Sequence, residues 1–141
     1  MSIKELMANE LLRYDYVLFA FLFGSYAEER ATNISDIDVG IYTDEDVSLT
    51  DIGLITAGLE KTTRKKTDVL ILNHLYKTRP VLSFEVISRG DLIFCRDSKK
   101  LVEFRKNVFL YYLDTKPLRD LTDRTVKKRL KSGHFGERNY A

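Results

Sequence analysis

A single cysteine, no tryptophan and no long apolar run mark this sequence of 141 residues. Cys95 has no partner for an intrachain disulfide, so the fold owes nothing to oxidation and a reducing, cytoplasmic setting is expected. The longest apolar stretch covers residues 16–24, about half of the ~20 residues a helix needs to cross a bilayer. The opening MSIKELMANELL carries acidic residues and no cleavable signal pattern, so secretion and membrane insertion are not expected. Repeats and low-complexity tracts are absent. So is a strong charge of one sign: the net charge of +2 does not mark a nucleic-acid-binding protein.

What is present is the balance of a soluble globular chain, 44% hydrophobic and 31% charged, long enough to bury one core without staples. Residues 3–14 place Ile3, Leu6, Met7, Leu11 and Leu12 on one helical face. VLFAFLF, from Val17 to Phe23, is apolar throughout, as a buried central strand should be. It ends at Gly24-Ser25, ahead of a helix-compatible stretch over residues 26–31. Asp36-Ile37-Asp38-Val39-Gly40-Ile41-Tyr42 alternates strictly and predicts a second strand. A helix is expected over residues 49–64, a third strand over 67–72, and a short helix over 80–88. A fourth strand is expected over 91–95, then a helix capped at Asp97 or Ser98 and running to about Leu113. Its inward residues should be Leu101, Phe104, Val108 and Leu110 or Tyr111. Lys116-Pro117 should begin a last helix that Gly133 ends, with a sparse tail from His134. Strands alternating with helices predict an α/β (α+β) fold, a single small domain whose mixed sheet of about four strands is packed by helices. The body spans residues 1–115, and a basic helix and tail span 116–141. From Lys116 onward eight Lys/Arg meet three Asp/Glu, whereas the body carries fifteen against eighteen.

The chemistry gathers around two carboxylates. On a strand, Asp36 and Asp38 lie ~6.6 Å apart on one face while Ile37, Val39 and Ile41 claim the other. Two like charges aimed together are costly, and a divalent cation removes that cost. Oxygen-only ligands suit magnesium, which accepts substrate phosphates as further ligands. Thr67-Asp68 opens a neighbouring strand, so Asp68 can supply a third carboxylate. Gly24 lets the backbone approach a ligand closely, the helix start after it offers free N–H groups to phosphate, and Ser25 adds a hydroxyl. A phosphate cradle beside a carboxylate-bound metal describes a nucleoside triphosphate site, and a third carboxylate as base describes nucleotidyl transfer.

The segment GSYAEERATNISDIDVGIY therefore reads Gly-Ser, ten residues, Asp-x-Asp. It resembles the nucleotidyltransferase superfamily of DNA polymerase beta and the aminoglycoside nucleotidyltransferases. Over roughly residues 5–115, its short length and SDIDV motif resemble the minimal nucleotidyltransferases of the MNT (MntA) type. The resemblance implies that Gly24 and Ser25 hold the triphosphate of ATP and that Asp36 and Asp38 bind two magnesium ions. It implies that Asp68 shares one metal and activates the attacking hydroxyl. It further implies an antitoxin that transfers AMP to a tyrosine of a helical HEPN ribonuclease toxin, within a hetero-oligomer. Two other readings stand beside it: a non-catalytic antitoxin acting by binding alone, and a small-molecule nucleotidyltransferase of the aminoglycoside type.

Plainer readings accompany several residues. Asp36 and Asp38 can be polar residues of an edge strand, Asp68 can pair with Lys65 or Lys66, and Ser25 can be a helix cap. Lys61, Arg64, Lys65 and Lys66 can reach a triphosphate or form a solvated helix end. His74 reads as a loop histidine and Cys95 as a small buried hydrophobe. Arg129 and His134 have the Arg-x4-His spacing of HEPN ribonucleases, but Gly133 breaks the helix between them and no helical bundle is expected to hold them.

Overall fold

The structure, a computed structural model, describes residues 2–24 and 36–132, with side chains described as far as residue 116. Ser25, the stretch at 26–31, Gly133 and the tail from His134 lie outside the described residues. Helix α1 (Ile3–Leu11) starts at Ser2, whose hydroxyl accepts the Glu5 N–H. Strands β1 (Val17–Phe23) and β2 (Ile37–Thr43) follow, then α2 (Leu49–Thr63). A capping box of Ser48 and Asp51 opens α2, and Arg64 closes it in the left-handed conformation at φ 58°. Next come β3 (Thr67–Ile71), the short α3 (Leu75–Thr78), α4 (Pro80–Arg89), β4 (Asp91–Cys95) and α5 (Ser98–Ser132).

The sheet runs β3-β2-β1-β4. β1 is antiparallel to both neighbours, and β2 and β3 are parallel. A parallel pair needs a crossover, and α2 supplies it. One face carries Val17, Ala20, Leu22, Ile37, Val39 and Ile41 against Met7 and Leu11 of α1 and Ile55 and Leu59 of α2. The other carries Phe19 and Phe21 against Val86 of α4 and Leu101, Phe104 and Val108 of α5. Between Val17 and Phe19 the register shifts, which turns the rest of β1 to suit both layers. The expected α+β architecture is therefore present, with helices on both faces of a mixed sheet. Among the described residues no helix is long and apolar enough to cross a membrane.

Two expectations are corrected. α5 is one helix of 35 residues and does not restart at Lys116-Pro117. The helix is already propagating when it reaches Pro117, where the missing N–H forfeits one bond to Leu113. Leu113 is 44% exposed, so water can take up its freed carbonyl. Leu110 and Tyr111 are both exposed rather than inward. The inner line continues through Tyr112, which stacks on Phe84 of α4 at 4.0 Å between ring centroids.

Candidate active site

The end of β1 sets the geometry. Phe23 lies opposite Asp38 of β2, so Gly24 is the first residue beyond the pair. Gly24 sits at φ +74°, a conformation that disfavours any residue with a Cβ. A Cβ here would also run into the Asp38 carboxylate oxygen. The glycine is thus required twice, by its own backbone and by the carboxylate beside it.

β2 and β3 then bring the acids together. The parallel register places Asp38 directly beside Asp68, and Ile37 beside Thr67. Ile37 N–H donates to Lys66 C=O at 2.9 Å, which fixes the strand starts and holds Asp36 next to Lys66. Asp38 is half-buried, whereas Asp36 and Asp68 are exposed. Burial pushes the Asp38 carboxyl above its ordinary value, and the negative charges of Asp68 and then Asp36 push it further. Asp38 therefore senses both of its acidic neighbours. Among the described residues, no three His, Cys, Asp or Glu side chains gather tightly enough to hold a metal ion as they stand. The donor set nonetheless suits magnesium. It is all carboxylate oxygen, and the half-buried member gains from any neighbouring positive charge.

Of the residues singled out in the sequence, Gly24, Asp36, Asp38 and Asp68 come together at one end of the sheet, and Ser25 lies outside the described residues. Lys61 and Arg64 belong to the end of α2, which covers the sheet face turned away from Asp38. His74 stands at the start of α3, at the opposite end of β3. It lines a cleft of about 370 Å³ with Thr43, Asn73 and Thr78. Cys95 is half-buried rather than buried and packs beside the aromatic layer.

Two supporting residues carry no signal in the sequence. Glu60 reaches from α2 to accept the Thr67 N–H at 3.2 Å, anchoring the residue next to Asp68. Asn73 accepts from Thr43 N–H at 3.0 Å and donates to Thr43 C=O at 2.7 Å, continuing the ladder with a side chain. Neither lies in a pattern whose period or spacing reveals it, because each depends on where the crossover returns the chain.

Comparison with known proteins accords with this geometry. Residues 5–99 match the family model described as Polymerase beta, Nucleotidyltransferase. No curated protein matches the chain. Among solved structures, the chain is similar to one from a toxin–antitoxin complex crystallised with AMP-PNP, at 17% identity and a TM-score of 0.70, covering 86% of this chain and 97% of that one. It is similar at 15% identity and a TM-score of 0.64 to a chain of an MntA–HepT toxin–antitoxin complex, covering 87% and 96%. A third comes from a complex of a tri-AMPylated Shewanella oneidensis HEPN toxin with an MNT antitoxin, at 16% identity and a TM-score of 0.62, covering 86% and 98%. At these identities the likeness is one of fold.

Proposed function

Since the chain belongs to the polymerase beta nucleotidyltransferase family, we propose that this nucleotidyltransferase is a magnesium-dependent antitoxin that transfers AMP from ATP to a tyrosine hydroxyl of a partner HEPN ribonuclease. The observation that carries the reading is the convergence of Gly24, Asp38 and Asp68 on adjacent strands, with the Asp38 carboxyl raised by burial and by its acidic neighbours. Resemblance in fold to chains of complexes with a HEPN toxin, one of them AMPylated, supports the partner and the group transferred.

The sheet order sets out the roles in line. β1 brings Gly24, and with it Ser25, to the triphosphate. The turn presents backbone without a side chain, so phosphate oxygens can approach its N–H groups. Asp36, Asp38 and Asp68 would hold magnesium, which when bound offsets phosphate charge and favours attack at the α-phosphorus. β3, on the far side of β2 from β1, brings Asp68 to the acceptor. The tyrosine oxygen bonds to the α-phosphorus, the bond from that phosphorus to the bridging oxygen breaks, and pyrophosphate leaves. Asp68 takes the phenolic proton. Residues 1–115 perform this chemistry, and the basic segment 116–141 docks the partner.

Mass measurement of the HEPN partner co-expressed with this chain tests the reading. The partner should gain one or more AMP units, and the Asp36→Ala, Asp38→Ala double variant should abolish the gain. A partner that is bound and silenced with no change in mass would establish neutralisation by contact alone.

A further inference from the structure

Among the described residues β3 is an edge strand, paired with β2 on one side only. Two hydrogen bonds fix where its backbone groups point. Ile37 N–H donates to Lys66 C=O at 2.9 Å, and Leu72 N–H donates to Ile41 C=O at 2.8 Å. In a parallel ladder alternate residues bond to the same neighbour. Residues 66, 68, 70 and 72 therefore turn their main-chain groups toward β2, and Thr67, Val69 and Ile71 turn theirs to the open edge. Glu60 caps the Thr67 N–H. Among the described residues no hydrogen bond engages the Thr67 carbonyl or the main-chain groups of Val69 and Ile71.

These open groups flank Asp68. A strand laid parallel to β3 would have the residue opposite Asp68 held by the Thr67 C=O and the Val69 N–H. Its side chain would share the sheet face of Asp68 and Asp38. At the Ile71 end lies the cleft of about 370 Å³ lined by Thr43, Asn73, His74 and Thr78. Ile71 and Thr43 belong to the face covered by α2, since Thr43 continues the alternation of Ile37, Val39 and Ile41. An extended chain covers three residues in ~10 Å and reverses its face over that step. One added strand can therefore address both places.

We propose that the β3 edge is the acceptor site of this enzyme. An extended segment of the acceptor polypeptide adds there as a fifth strand, with its hydroxyl-bearing residue opposite Asp68 and a side chain three residues away in the Ile71 cleft. The inference rests on the reading that the acceptor is a protein hydroxyl. Main-chain hydrogen bonds supply affinity that is indifferent to side chains, and the cleft supplies selection. An acceptor bound this way must be unfolded or frayed around its tyrosine, because a hydroxyl within a packed helix has no free main chain to offer.

The test uses the full chain, labelled for amide detection, with ATP and magnesium. The probe is a nine-residue peptide of alternating threonine and valine around a central tyrosine, compared with the same peptide N-methylated at alternate amides. At millimolar concentration the plain peptide should slow exchange of the Val69 and Ile71 amides at least tenfold and accept AMP on its tyrosine. The methylated peptide should do neither. Val69→Pro removes an outward N–H, which an edge strand tolerates, together with a partly buried side chain that packs on the core beneath α2. It should keep the affinity for ATP and lose at least tenfold in peptide modification. If that variant does not fold, the two peptides decide.

Unchanged Val69 and Ile71 amides with the plain peptide, or an equal effect from the methylated one, would overturn the proposal. Protection of those amides that grows with protein concentration alone would overturn it too, by showing that a second copy covers the edge. Failure of the wild-type chain to bind ATP would strike the nucleotidyl-transfer reading instead. Exchange at the edge would still report on the peptide.

Discussion

Gly24 links backbone to chemistry at a single residue. Its φ of +74° costs an L-residue ~1–2 kcal/mol, and the methyl of an alanine would displace the Asp38 carboxylate. Gly24→Ala should therefore lower stability by that modest amount and reduce ATP affinity and transfer much more, as melting and calorimetry on the same samples would show. Asp38 makes the complementary case. Its carboxyl is raised in the fold above the ordinary 3.8, so the folded state holds the proton more tightly than the unfolded chain. That stabilisation is fully present below about pH 3.8 and is lost as pH rises through the raised value in the fold. In the metal-free protein, Asp38→Asn should raise the melting temperature at pH 7 and lose that advantage toward pH 3. Added magnesium should stabilise the wild type and not the variant. A melting temperature that falls at pH 7 would make Asp38 a structural residue. The face on which Asp38 stands was legible in the sequence, because alternation on β2 puts Asp36 and Asp38 opposite Ile37, Val39 and Ile41. The contact between Gly24 and Asp38 was not, because it needs the register of β1 against β2.

Among the elements, those with a strong pattern were legible and those governed by returning chain were not. The apolar run of β1 and the alternation of β2 specify buried strands directly. α3 has only four residues, too few to show a period, and its place follows from Asn73 clamping the chain to Thr43. α5 runs through Pro117 because a lost bond at an exposed turn costs less than a new helix start. Arg96 shows how one side chain ties elements distant in sequence. From the end of β4 its Nε donates to Val17 C=O at 2.9 Å, and its Nη2 donates to Leu12 C=O at 2.6 Å and Tyr14 C=O at 3.3 Å. Those carbonyls run from the end of α1 to the first residue of β1, at the end of the sheet away from Gly24. Hydrogen bonds from a charged donor contribute ~1.5–3 kcal/mol, so Arg96→Met should destabilise by about 2 kcal/mol in denaturant titration. ATP affinity should be unchanged. A matching fall in affinity would show that the two ends of the sheet are coupled.

At the scale of the whole molecule the charge is divided. The body to residue 115 holds fifteen basic and eighteen acidic residues, and the remainder holds eight against three. The helical part of that remainder continues α5, which at 35 residues is ~52 Å long and packs on the sheet through its first turns, at Leu101, Phe104 and Val108. A basic extension on a slightly acidic body attracts an acidic partner surface. Attraction of this kind is screened over ~8 Å at physiological salt and acts mainly on the rate of encounter. Reversing Lys127, Lys128 and Lys131 to glutamate should therefore slow association with the partner and flatten its dependence on salt. ATP affinity, set where Gly24 at the end of β1 meets Asp38 of β2, should not move. Stopped-flow association at several salt concentrations, with calorimetry for ATP, measures both. Unchanged association with an unchanged salt slope would mean that the basic segment is a solvated helix face, and that the partner is held by the catalytic body alone.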